Sequence, residues 1–578
     1  MSNRFEGKPV VDFSLREIPF SHRGSWFGIS PVVAQATYAD DLHLVSHRHG
    51  MHPVLRLVPV LGGVRVPAGV TARPEVLTWS EGRGRIAAAF ESPSSLRLSG
   101  HGLGLRVAAA AATLTPFTGT YAFHDPVTSS YVFTSYETGH RYRLTSLSGS
   151  VRELGSTALG TAERAVVIGD DGDAWEAVLE ELTTARAQPP ARAPFAAVVG
   201  AARRAFDEFT AAVAPWRGDR TPAAELACYV LWSATVEPSG FIGRPAVLMS
   251  KHWMDKVWSW DHCFNALALA GGAPDLAWDQ LQVMFDHQTE EGALPDSVTH
   301  AEVLHNFVKP PIHGWAVGKL RDHLPGGLPA DEVAGLYRQL AAWTTFWLDH
   351  RRAPGQSLAH YEHGNDSGWD NATVFQGHGV VQSPDLAAFL VAQMRELARL
   401  AAEVGDSAAA ARWADEAGKM SDALLSQLWN GSRFTSRAVD GERRVTAGLL
   451  EHMPIVLGPR LPRDVHDKVS AAVAEHLTPV GLATERPDSP LYEADGYWRG
   501  PVWAPATVLI EDGLRQGGST ELADVVSVRF RAACEKSGFA ENFDALSGEG
   551  LRDRAYTWTA SAYLLLAGDA ERRHGSLA

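Results

Sequence analysis

Cysteine is nearly absent. Cys228, Cys263 and Cys534 are the only three in 578 residues, too few and too scattered for a disulfide framework or a zinc cluster. Long apolar runs are missing too: no stretch approaches the ~18 consecutive apolar residues that span a bilayer, so a soluble chain is expected. The opening MSNRFEGKPVVDFSLREIPF is charged throughout, without an apolar core or a small-residue cleavage site, and reads as a cytoplasmic protein without a secretory leader. Positive charge is the scarcer sign. The 52 Lys and Arg face 67 Asp and Glu, and the net charge of −15 repels nucleic acid and anionic membranes, excluding both as partners. No Gly-rich loop runs into Lys-Ser or Lys-Thr, so no nucleotide is expected. His252, His262, His287, His305, His313, His363 and His378 lack tight ligand spacing, and neither a metal nor a cofactor is expected. The acidic GDDGDAWE at 169–176 lacks the ligand order of a calcium loop and reads as a surface turn.

What the chain has in excess is tryptophan, 18 residues, many beside Gly, Asp, His or Arg and outside apolar runs. Indole faces next to polar forks grip sugar rings, whose C–H faces stack while their hydroxyls take paired hydrogen bonds. A small carbohydrate is therefore the expected partner. Up to about Gly169 the sequence alternates in short segments (VLRLVPV, LRLSG, YVFTSY, HRYRLTSLSG), the pattern of an antiparallel β-sandwich. DAWEAVLEELTTARA at 173–187 reads as a helix, and QPPARAP at 188–194 as a linker. The domains are thus 1–187 and 195–578. The second part is Ala- and Leu-rich with helical periods, AELACYVLWSATV and DLAAFLVAQMRELARLAAEVG among them. It has room for roughly a dozen helices, enough for a double ring of six hairpins, an (α/α)6 barrel.

Five long connections interrupt these helices, dense in Trp, Asp, His, Gly and Pro: SKHWMDKVWSWDHCF, HNFVKPPIHGW, AHYEHGNDSGWDNATVF, YEADGYWRGPVW and ENFDALSGEG. Such loops at one end of a barrel would line a single cavity. Glycosidic cleavage needs one carboxylic acid to protonate the leaving oxygen and a second carboxylate to act on the anomeric centre. HGNDSGWDN offers Asp366 and Asp370, with Trp369 as an apolar wall that would raise a carboxyl pKa. Glu541 opens a turn-rich loop fit to present a carboxylate to water, with Asp544 and Glu549 as rival acids nearby.

SGWDN at 367–371, YWRGPVW at 497–503 and the Glu-Asn-aromatic segment at 541–550 resemble motifs of glycoside hydrolase family 63 and its mannosylglycerate and glucosylglycerate hydrolase relatives, with family 37 trehalases more distant. WSWDHCF at 258–264 and KPPIHGWAV at 309–317 add to the resemblance, which covers 195–578. It implies an inverting, exo-acting hydrolase of small α-linked glucosides or mannosides. Asp370 would be the general acid and Glu541 the general base. Arg499 would bind near the reacting sugar, and Trp258, Trp260 and Asp261 would form the floor of the non-reducing-end subsite. Lys309, Trp315, His363, Asp366, Trp369, Tyr497 and Trp503 complete the expected binding set. Asp366 stands where relatives often carry Glu, leaving three roles open: orienting a hydroxyl, holding Asp370, or capping a loop.

Each residue also has a plainer reading. Asp370 and Asp261 could cap helices, the tryptophans could fill the core although at least two are expected to line the cavity, and Arg499 could pair with Asp495 or Glu493. A phosphorylase on the same barrel, or an inactive sugar-binding protein, are the rival functions. Oligomeric state is not legible.

Overall fold

Short alternating segments pair into two antiparallel sheets in a computed structural model that describes residues 11–155, 158–187, 193–377 and 379–577. One sheet runs Phe27–Ala34, Thr37–Ser46, His52–Leu61, Gly104–Ala109, Arg164–Ile168, Val151–Gly155, with Val64–Arg65 hooked onto the third strand. The other runs Thr120–Asp125, Ser130–Ser135, Arg141–Ser148, Trp175–Leu182, Ser95–His101, Gly84–Ser92, Val76–Glu81, Gly69–Arg73. Side chains from both, including Phe27, Leu44, Leu98, Leu105 and Trp175, share one buried core.

The helix expected over 173–187 is corrected: Trp175–Leu182 is a strand between Arg141–Ser148 and Ser95–His101. Trp175, Ala177 and Leu179 enter the core. On the opposite face Glu180 meets the Arg143 guanidinium at 2.8 Å, while Glu181, on the core side beside Tyr142, pairs with Arg48 at 2.9 Å. Its Ala, Leu and Glu content favours a helix, but two waiting strand edges and buried arginine partners decide the conformation. Most of the proposed linker, 188–192, lies outside the described residues.

Among the described residues twelve α-helices follow: α1 (Phe195–Val213), α2 (Ala224–Ala234), α3 (Asp261–Leu269), α4 (Pro274–Gln282), α5 (His313–His323), α6 (Val333–Asp349), α7 (Pro384–Glu403), α8 (Ser407–Ala423), α9 (Arg463–Ala474), α10 (Ala504–Gln516), α11 (Thr520–Ser537) and α12 (Thr557–Leu577). Helix α1 packs on the Gly84–Ser92 and Ser95–His101 strands. Helices α3, α5 and α7 pack in sequence. A 3₁₀ segment, Leu449–Arg460, follows α7, then α10 and α12, and α12 returns to α3. Against these lie α4, α6, α8, α9, α11 and α2. Lys251 stitches the two parts together, its buried Nζ donating to Ser21 Oγ (3.1 Å) and to the carbonyls of Ser25 and Ser233 (2.6 Å each). No helix among the described residues is long and apolar enough to cross a membrane.

Candidate active site

The loop over 360–382 is drawn tight by two glycines. Gly368 sits at φ 72°, where a Cβ would come within 2.5 Å of the Trp260 ring, and a Cβ at Gly364 would come within 2.0 Å of the Asp370 carbonyl oxygen. Only hydrogen fits at either place. Asp366 knots the loop. Its carboxylate accepts from the N–H groups of Val308 (3.1 Å), Glu362 (2.9 Å) and His363 (3.3 Å) and pairs with Arg351 at 2.9 Å. Of its three open roles the structure therefore selects loop-holding. The substrate contact expected of Asp366 is corrected, because its oxygens are committed and it is 1% exposed.

Asp370 emerges from this loop 28% exposed, 3.8 Å from Lys309 Nζ. It caps no helix, since the next 3₁₀ turn, Thr373–Phe375, starts after Ala372. Burial pushes its carboxyl above the ordinary value; Asp296 adds to this, while Lys309 and His363 oppose it. Lys309 stands 3.2 Å from Asp296 and donates to the Asn365 carbonyl at 2.8 Å. Burial works against its charge, but Asp370, Asp296 and Asp261 outweigh that and raise its pKa. A cavity of about 330 Å³ opens beside Asp370, walled by His363, Asn371, Phe375, Gln376 and Arg499 among others. His363 lies stacked on Phe307, ring centres 4.9 Å apart. Arg499 pairs through Nη2 with Glu493 at 2.9 Å, but its buried Nε has no hydrogen-bond partner. Asp495 instead pairs with Arg552.

Asn371 fastens the acid loop to the next one, donating to the Gly496 carbonyl (3.0 Å) and accepting from the Trp498 N–H (2.9 Å). Behind this junction Trp369 packs on Trp498 at 4.7 Å, and Trp498 stacks on Trp503 at 4.0 Å with 7° between planes. Trp558 meets Trp260 and Trp503 edge-on. The expectation that at least two of Trp258, Trp260, Trp315 and Trp503 line the cavity is corrected. Trp260 and Trp503 belong to this buried stack, and Trp315, 8% exposed, gives its indole N–H to Asp512 at 2.8 Å. Of the four, Trp258 alone is partly exposed. Tryptophans close in space bury one another's faces before a ligand can use them.

Glu541 opens a hairpin, Asn542–Phe543 against Gly550–Leu551, and Phe543 pairs in turn with Val502 of the YWRGPVW loop through N–H···O bonds of 2.8 and 3.0 Å. Asp544 makes the hairpin turn by accepting from Leu546 and Ser547 N–H groups, and Glu549 is exposed, so neither rivals Glu541. Glu541 is 4% exposed, and its N–H donates to the Asp553 carbonyl at 2.7 Å. Burial and then the Asp553 charge raise its carboxyl to about 8, against the opposing pull of Arg552 and of a hydrogen bond from the Tyr497 hydroxyl. Tyr497 is itself raised by burial, then by Glu541 and Asp370, so its phenol lies within the field of both carboxyls.

Asp261 is the first residue of α3, 4% exposed, with one carboxyl oxygen lacking a hydrogen-bond partner. Burial raises it to about 8, opposed by Lys309 and reinforced by Asp296 and Asp370. Three aspartates thus surround one lysine. Sequence reasoning missed Asp296, Asn371, Trp498, Arg552, Tyr556 and Trp558. Asn371 and Trp498 sit inside motifs it had singled out, whereas Asp296, after Leu-Pro, has no local signal. Tyr556, 4% exposed, feels Glu541, Tyr497 and Asp261 together. Among the described residues no three His, Cys, Asp or Glu side chains converge as a metal site; His378 lies outside them.

The profile of the "Mannosylglycerate hydrolase MGH1-like glycoside hydrolase domain" matches residues 254–559, more than half the chain and all of the loops just described. The chain belongs to this family. It is a glycoside hydrolase. A mannosylglycerate hydrolase of Rubrobacter radiotolerans is 26% identical over 53% of this chain and 89% of its own length. Mannosylglycerate hydrolase MGH1 of Selaginella moellendorffii is 23% identical over 53% and 79%. Among solved structures, the family 63 mannosylglycerate hydrolase of Thermus thermophilus, in complex with glucose, has 20% identity and a TM-score of 0.50. The match covers 59% of this chain and 98% of that one, a likeness of fold. The same Thermus enzyme was also solved with Tris and D-glycerate, at a TM-score of 0.50 and 21% identity over 59% of this chain and 98% of that one.

Proposed function

We propose that this glycoside hydrolase cleaves a small α-linked mannoside or glucoside, with glycosyl-glycerates the first candidates, by inversion at the anomeric carbon. Asp370 acts as general acid and Glu541 as general base. The helices form an (α/α)6 barrel with α3, α5, α7, the Leu449–Arg460 segment, α10 and α12 as its inner ring, and the domain boundary falls between 187 and 195. One arrangement carries the reading: Asp370 at the cavity edge, 3.8 Å from Lys309, and the buried Glu541 lie on loops tied together through Asn371 to Gly496 and Trp498 and through Val502 to Phe543. The sugar lies beside Asp261, and the aglycone extends into the 330 Å³ cavity, whose Arg499 guanidinium suits a carboxylate.

Protonated Asp370 delivers its proton to the bridging oxygen as the C–O bond breaks, while Glu541 takes a proton from the water that attacks the opposite face. The active form is Asp370 protonated with Glu541 ionised. As Glu541 titrates near 8, that form is a minor fraction at neutral pH, and its population is flat between the two pKa values. It falls below the Asp370 pKa because Glu541⁻ is lost, and above about 8 because protonated Asp370 is lost. Hydrolysis fits better than phosphorolysis. Glu541 faces Asp553, and the Arg552 guanidinium is already bonded to Asn542 and Asp495, leaving no free anion seat beside the base.

Proton NMR of digests of α-mannosides, α-glucosides and glycosyl-glycerates tests the reading. First appearance of the β-anomer, lost in Asp370→Asn and Glu541→Gln, supports it. Release of the α-anomer, or turnover surviving either substitution, overturns it.

A further inference from the structure

Two non-glycine residues beside Glu541 hold left-handed backbones, Tyr497 at φ 63° and Arg552 at φ 61°. Side chains seldom adopt this region, and where a fold maintains it twice at one site the surroundings over-determine it. The two residues meet face to face: the Arg552 guanidinium carbon lies 4.9 Å above the centre of the Tyr497 ring. Arg552 is held from behind, donating to Asn542 Oδ1 at 3.0 Å and to the Asp495 carbonyl at 3.2 Å, and pairing with the Asp495 carboxylate at 2.7 Å. Asn542 adjoins Glu541, and Asp495 lies two residues before Tyr497. One guanidinium thereby joins both loops, while the phenol it covers acts on the Glu541 carboxyl.

We infer that Arg552 is a positioning residue for the base: stacked on Tyr497, it fixes the phenol against the Glu541 carboxyl and supplies the positive charge that favours its ionised form. The inference rests on the proposed role of Glu541. Elsewhere around that carboxyl stand the negative Asp553, the neutral Tyr497 and Tyr556, and Asp370 beyond the phenol. Among the groups that act most strongly on it, Arg552 supplies the positive charge. A planar fork suits this place because it can stack on the ring and still bond at its edges.

The test titrates Glu541 directly, by NMR of protein carrying ¹³Cδ-labelled glutamate, with its signal assigned as the one missing in Glu541→Gln. In the wild type the midpoint is expected near 8. Arg552→Gln is expected to raise it by about one unit, a tenfold smaller ionised fraction at neutral pH. Arg552→Lys, which keeps the charge without the planar stack, should move it by roughly half as much or less. Arg552→Gly removes the side chain while relieving the left-handed backbone, and must still show the full shift. A midpoint that does not move in Arg552→Gln and Arg552→Gly overturns the inference. Should the midpoint move while Glu541→Gln still turns over a cleaved glycoside, the assignment of the base fails and the positioning stands.

Discussion

The two carboxyls of the site are held in opposite ways. Asp370 sits on a loop knotted by the Asp366 carboxylate, a quarter exposed, with a lysine 3.8 Å away. Glu541 is almost wholly buried in a hairpin whose neighbours come from chain segments more than forty residues apart, Tyr497 among them. The contrast teaches that depth decides how much compensation a carboxyl needs: Asp370, at the cavity edge, is steadied by Lys309 from a distant segment, whereas Glu541 draws on Arg552 and Tyr497 together, because desolvation penalises a deeply buried charge most. Burial accordingly raises both, Glu541 to about 8, while at Asp370 the lysine opposes the rise.

The largest effect should come from removing either group. Asp370→Asn and Glu541→Gln are each expected to lower kcat by about 10²–10⁴-fold while leaving the thermal midpoint near the wild type's, measured by anomer release and calorimetry. A variant with undiminished kcat would remove its residue from the comparison. Next is pH. The rate profile of kcat/KM should decline above about 8, and Lys309→Met, by removing the opposing cation, should move the acid limb upward as the Asp370 pKa rises. An acid limb that stays put or moves down would show that Asp370 does not set it.

The contrast in how the two are built can be broken structurally. Gly368→Ala forces a methyl toward the Trp260 ring and a side chain onto a left-handed backbone, and it should cost about 2–4 kcal/mol in denaturant unfolding. It should also disturb Asp370 more than Glu541. At the small end, Glu549→Gln, on the exposed tip of the hairpin, should change stability by no more than about 0.5 kcal/mol and leave kcat unchanged. A loss of activity there would mean that the hairpin's charge, and not only Glu541, matters.

Legibility followed the range of the interactions. Helix α7 was readable because one face of a continuous segment carries its own periodicity, and HGNDSGWDN because its glycines, cap and acid lie within nine residues. Asp296 was invisible, since nothing next to it announces that Lys309 will stand 3.2 Å away. The tryptophans were recognised as numerous but not as one another's neighbours, so a buried stack was mistaken for cavity wall.

By itself the sequence determined the order of a β-rich part before a helical one, the five loops, and the residue types able to do acid–base chemistry, because turn signals, periodicity and motif spacing are local properties of the chain. Tertiary structure alone decided that Trp175–Leu182 is a strand, that Asp366 serves the loop instead of the ligand, and that Arg552 covers Tyr497 beside Glu541. Those outcomes depend on which distant groups share a desolvated space, where a hydrogen bond or a charge weighs far more than local propensity.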